Sequence, residues 1–148
     1  MATPTTTNRF LIEIGDGADP ETFAFPCGAN SRSVTLTNNL GEDTLLDCDN
    51  PMDVPAIVVR YIESQDTVVS ISGRVAKENF AMWRAFADEL EPRNIKITLD
   101  EPLANGGGSW IVKAYLGSFE LGGEGSASAT FSATLSGTGQ RVWTPAVA

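Results

Sequence analysis

From Ser126 to Ser136 the chain reads SASATFSATLS, in which small hydroxyl residues alternate with Ala127, Ala129, Phe131, Ala133 and Leu135 without a slip. A strand turns successive side chains to opposite faces, so this segment can bury one face and keep the other hydroxylated. Preceded by Trp110 to Leu121 and the glycine-rich turn at 122–125, it forms the second arm of a long hairpin over 110–136. Residues 67–75 repeat the pattern, with Val69, Ile71 and Val75 on one side and Ser70, Ser72 and Arg74 on the other. The hydroxyl face of such strands has no obvious cover in a chain this short, which points to assembly with further copies.

The rest of the chain is read in the same way. Strands are expected at 10–14, near 22–25, at 33–37 and at 94–99, with turn chemistry at Gly15-Asp16-Gly17 and Asp19-Pro20. Residues 57–63 and 67–75 flank Ser64-Gln65-Asp66 and predict a second hairpin. The spacing of Phe80, Trp83, Ala87 and Leu90 predicts one helix over 77–90, stopped by Pro92. Residues 38–56 show no period; they hold Glu42, Asp43, Asp47, Asp49 and Asp53 without a base, and Pro51 and Pro55. A long acidic loop of this kind inside a small domain is expected to act on a partner, the other reading being a disordered acidic excursion. The fold class that follows is mainly β, a two-sheet sandwich or small barrel with one flanking helix. It is a single domain over 1–148 with a flexible N-terminal arm at 1–8, the acidic loop at 38–56, a break at Gly137–Gly139 and a short tail at 140–148.

Composition narrows the function. Nineteen acids against ten bases give a net charge of −9, which disfavours gripping nucleic acid and fits either acidity for solubility alone or a surface past which DNA slides without sticking. The chain has no histidine, so histidine-based catalysis and the common zinc sites are excluded, and no pairing of carboxylates or glycine-rich loop marks an active site. No enzyme activity and no cofactor are expected. Cys27 and Cys48 lack metal spacing and are expected as free, part-buried thiols. Neither a signal sequence nor a membrane span is expected.

The segments VVSISGRV (68–75), KENFAMWRAFADEL (77–90), WIVKAYLGSFEL (110–121) and ATFSATLSGTG (129–139), in this order, resemble the major tail proteins that build the tail tube of long-tailed phages and related phage-like particles. The resemblance implies a structural virion protein assembled in the host cytoplasm into stacked homo-hexameric rings. Their lumen would conduct DNA without specific binding, and a tape-measure protein would occupy it during assembly. Tail-terminator and distal tail proteins are the further partners implied, with no membrane anchoring. On this reading Glu42, Asp43, Asp47, Asp49 and Asp53 form an inter-subunit or inter-ring loop. Ser70, Ser72, Ser128, Thr130, Ser132 and Thr134 are the candidate lumen face, with acids rather than bases beside them. The alternatives are a soluble β-sandwich binding module of a viral particle, using Trp110, Trp143, Tyr61 or Tyr115, and the tube protein of a contractile tail or secretion system.

Overall fold

The computed structural model describes residues 2–6, 9–17 and 21–147; the expected Asp19-Pro20 turn and parts of the N-terminal arm lie outside them. Seven strands, β1 (Phe10–Gly15), β2 (Phe23–Ala24), β3 (Ser31–Leu45), β4 (Ile57–Arg74), β5 (Arg93–Leu99), β6 (Gly108–Gly122) and β7 (Thr130–Pro145), form one sheet in the order β2-β1-β5-β6-β7-β4-β3. Every neighbouring pair is antiparallel. Helix α1 (Lys77–Asp88) follows β4. Among the described residues the fold is mainly β with one α-helix, as the alternation implies, but its strands belong to one hydrogen-bonded sheet in place of two.

The alternating residues account for the core. Val69 pairs with Leu135 and Ile71 with Ala133 across β4 and β7, while Ile12 pairs with Ile97 and Ile14 with Ile95 across β1 and β5. All of these are buried in one cluster, so the two halves of the sheet face each other across a shared interior. The curl brings β3 back to β1. Arg32 on β3 donates through Nε to the Phe10 carbonyl at 2.8 Å and through a terminal nitrogen to the Ala29 carbonyl at 3.0 Å. A side chain, and no strand ladder, bridges the seam between these two strands, so the barrel stays open.

Helix α1 begins at Ala76 without a side-chain cap, so its stability rests on what it covers. Trp83 stacks on Phe119 at 5.4 Å and meets Phe131 at 5.3 Å, tying the helix to β6 and β7. At its other end the Arg93 guanidinium lies 5.2 Å over the Phe86 ring and takes both Glu89 oxygens, at 2.7 and 2.9 Å. These hydrogen bonds hold the Glu89 carboxyl below its usual range. Their contribution is therefore present above the unfolded carboxylate pKa and is lost as pH falls through the lowered folded value.

Several expectations are corrected. The buried stripe of α1 is Trp83 and Phe86; Phe80 is partly exposed, Ala87 is exposed, and Leu90 lies past the helix end and is almost fully exposed. The aromatic floor of Phe119 and Phe131 selects this stripe. Residues 57–74 are one continuous strand, because Asp66, Gln65 and Ser64 pair with Thr37, Asn38 and Asn39 instead of turning. The acidic loop shrinks to 46–56, since 38–45 extend β3 and carry Glu42 and Asp43 into the ladder. Gly137–Gly139 does not end β7: the ladder shifts there, with Gly139 in the left-handed region at φ 81°, and resumes through Pro145, so most of the expected tail is strand. Both cysteines are exposed.

Replacing Trp83 by Ala should lower the unfolding free energy by about 3–5 kcal/mol, the usual cost of emptying a large aromatic site. Phe80→Ala should cost under about 1 kcal/mol. Urea denaturation of the two variants measures the difference, and equal losses would contradict the stripe described above.

Candidate assembly surfaces

Because core residues occupy every second position, the opposite face of β3, β4, β7 and β6 is determined by the same registers. Ser33, Ser70, Thr134 and Ser118 stand in one row across the four strands. Ser31, Ser72, Ser132 and Glu120 form the next, and Thr35, Val68, Ser136 and Tyr115 the one after. All are exposed except Ser72, Thr134 and Val68, which are half-buried. The result is a broad, low-relief patch of hydroxyls on the side away from the core.

Of the six residues singled out in the sequence, Ser70, Ser72, Ser132 and Thr134 meet on this patch, and Thr130 extends it beside Arg74. Ser128 does not belong to a strand; it precedes β7, and its carbonyl accepts from the Arg74 guanidinium at 3.1 Å. Ser31, Ser33 and Ser118 were missed, although 31–35 carries the same hydroxyl alternation in short form. The patch is not free of bases. Arg74 stands at one end and Lys113 continues the Tyr115 side of β6, while Glu120 is the acid within the rows.

Two backbone edges bound the patch. On one side β3 is the last strand of the sheet. On the other, the β5 ladder reaches only Ala114, so among the described residues no strand pairs with the outer edge of β6 from Tyr115 to Gly122. Unpaired edges of this length are templates for a further strand.

The second surface is an arm. Beyond Leu36 and Thr67, strands β3 and β4 leave the core and run on as a two-stranded ribbon closed by 46–56. Its base is polar: the Asn39 amide donates to Ser64 Oγ at 2.9 Å and the Gln65 amide to Asn38 Oδ1 at 3.0 Å. Its distal half is apolar, with Leu40, Leu45, Ile57, Val59, Tyr61 and Ile62 all exposed. The Tyr61 ring lies over Gly41, whose hydrogen leaves the space that any Cβ would fill. Of the acids expected to make contacts, Glu42 pairs with Arg60 at 2.9 Å, Asp43 stands opposite Val59, and Asp47, Asp49 and Asp53 occupy the tip with Cys48. Asp47 accepts from the Asp49 and Asn50 amides and so shapes the turn. What distinguishes the arm is thus its uncovered apolar surface, which a count of acids does not reveal.

The aromatics considered for ligand binding do not converge. Trp110 and Trp143 pack together at 4.8 Å, whereas Tyr61 is on the arm and Tyr115 on the hydroxyl patch. No group of three metal-binding side chains occurs among the described residues.

The family model described as phage tail tube protein matches residues 4–142. Among solved structures, the chain is similar to one from the tail of an empty gene transfer agent particle with C6 symmetry. The TM-score is 0.77 at 12% identity, covering 95% of this chain and 99% of that one. It is also similar to the SPP1 tail tube (TM-score 0.64, 13% identity, 98% and 81% covered). A third likeness is to the sheath–tube complex of the extracellular contractile injection system PVC (0.63, 14%, 99% and 95%). A search of curated protein sequences finds no match. At these identities the structural likeness is one of fold.

Gly41→Ala should displace the Tyr61 ring and loosen the distal arm while leaving the body intact. Hydrogen exchange should accelerate within residues 40–62, with the urea midpoint of the Trp83 core unchanged; a shift of that midpoint would mean that the arm is part of the core.

Proposed function

The chain belongs to the phage tail tube protein family, and from this membership and the hydroxyl patch we infer that its copies close edge to edge into stacked hexameric rings around a DNA-conducting lumen. As a member it is a structural subunit of a virion tail tube, in a family that is not enzymatic. The observation that carries the finer reading is the patch itself: rows of small hydroxyls over four strands, bounded on both sides by unpaired edges.

The strand directions suit such a closure. Across β6, β7, β4 and β3 the chain alternates direction, so β3 of one copy meets β6 of the next in antiparallel sense. Antiparallel ladders satisfy the free N–H and C=O groups on both edges. A cyclic arrangement then leaves no edge over, which a finite open row cannot do. The hydroxyl faces of all copies become one wall. Short hydroxyls keep that wall hydrated without long side chains that could snag a moving polymer. The chain's excess of acids opposes the counterion release that would hold DNA in place.

Arg74 and Lys113 are the local exceptions, and Glu120 offsets one of them within the same patch. In this reading residues 1–148 act as one tube-forming unit. A length-setting protein fills the lumen during assembly, and terminator and distal tail proteins close its ends. The arm, with Glu42, Asp43, Asp47, Asp49 and Asp53 along it, reaches a neighbouring subunit or ring. The C6 symmetry of the gene transfer agent tail supports the choice of six copies.

Lys substituted singly at Ser70, Ser72, Ser132 or Thr134 tests the lumen assignment. Tubes should still form, seen by negative-stain microscopy, while DNA delivery falls and recovers with added salt. Failed assembly without a transport defect would put these residues in a subunit contact and end the lumen assignment. Native mass spectrometry should find cyclic hexamers. A strictly monomeric protein, even with other tail components present, would refute the ring.

A further inference from the structure

Strands β4 and β7 part at one point. Their ladder ends at Val68 and Ser136, after which β4 runs with β3 into the arm while β7 runs on beside β6. Thr67, the first residue on the arm side of this fork, is nevertheless buried. Two parts of β7 close over it. At Gly137 the backbone comes so near that a Cβ would lie 3.0 Å from the Thr67 carbonyl oxygen. Farther along, a terminal nitrogen of the Arg141 guanidinium donates to Thr67 Oγ1 at 3.2 Å. The Thr67 amide is taken in turn by the Asp66 carboxylate at 2.9 Å.

Arg141 reaches the fork because β7 is lengthened beside it. Between the pairs Lys113 with Thr138 and Ile111 with Val142, Val112 of β6 stands opposite Gly139, Gln140 and Arg141. A bulge bends its strand and re-aims the side chains it carries, and the left-handed Gly139 at φ 81° permits the bend. Arg141 is half-buried and forms no ion pair among the described residues. Its placement therefore answers to Thr67 and not to a carboxylate.

We propose that Arg141 is a latch whose hydrogen bond to Thr67 fixes the angle at which the arm leaves the body. This concerns the single chain and holds whether or not copies close into rings. Beyond the fork the ribbon has few places to bend. The pairs Asn39 with Ser64 and Gln65 with Asn38 tie its base through side chains, and at the irregularity after Asn39 the Tyr61 ring and the Glu63 carboxylate lie against Gly41. Freedom of the arm is thus concentrated where Arg141 holds it. An arm kept at one angle loses less freedom on meeting any partner than one that swings.

The test uses dilute full-length subunit carrying Cys48→Ser and Val58→Cys, which leaves one exposed thiol on the body, Cys27, and one in the arm ladder. Spin labels on the two thiols report the distribution of body-to-arm distances by pulsed electron resonance. One narrow peak is expected, the latched pose outweighing all others by about tenfold, as a charge-assisted hydrogen bond allows. Arg141→Ala and Thr67→Val should each broaden it, and the double variant should be no broader than either, because both remove the same bond. Arg60→Ala, which breaks the ion pair inside the arm, should leave the peak narrow. The urea midpoint should stay at the parent's value in every variant. A parent distribution as broad as the variants', a narrow peak in Arg141→Ala, or additive broadening overturns the latch. So does a lowered urea midpoint in both Arg141→Ala and Thr67→Val, which would make the pair part of the body's fold.

Discussion

The pairing of β4 with β7 is the constraint on which the rest of the structure depends. It sets Val69 against Leu135 and Ile71 against Ala133, and with the same stroke sets Ser70 against Thr134 and Ser72 against Ser132. A slip of one residue would bury hydroxyls and expose the aliphatic row, so the core fixes the register and the register fixes the outer face. The interior supplies the energy; the hydroxyl patch is ordered as its mirror image. This is why the hydroxyl patch, a candidate assembly surface, can be defined residue by residue without a deep pocket.

How much of this was legible in the sequence follows from which segments bury one face. Residues 67–75 and 129–136 do, and their alternation is visible in single letters. The arm strands bury neither face within the chain, so 38–45 shows no period, and Ser64-Gln65-Asp66, between the expected strands 57–63 and 67–75, resembles a turn until its partners at 37–39 are known. For α1 the helical spacing places Trp83 inward, but burial of Phe86 in place of Phe80 depends on tertiary partners, with Trp83 on Phe119 and Phe131 and the Arg93 guanidinium over Phe86. The contributions of Ser31, Ser33 and Ser118 to the patch depend on cross-strand register, which no local pattern contains. Ser128 is expected on the patch because the alternation in the letters starts before the strand itself begins at Thr130.

A subunit with two free sheet edges and an apolar arm is exposed to uncontrolled association, and the chain carries counterweights. Its net charge of −9 makes copies repel at long range, and acids crowd the arm tip where an apolar end would be stickiest. The base of the arm is hydrogen-bonded through Asn and Gln amides in place of further aliphatics, which separates the apolar surface of the arm from that of the body.

The even number of strands between the two free edges has a consequence for symmetry. In the proposed ring, with β6 running opposite to β3, each junction would repeat the polarity of the internal ladders for any number of subunits. Hydrogen bonding across such a junction would be indifferent to whether five, six or seven copies go round. Selection of the number would fall to the wedge angle at which the side chains flanking the two edges meet. Small changes at those flanks would retune the bore while leaving every backbone bond in place.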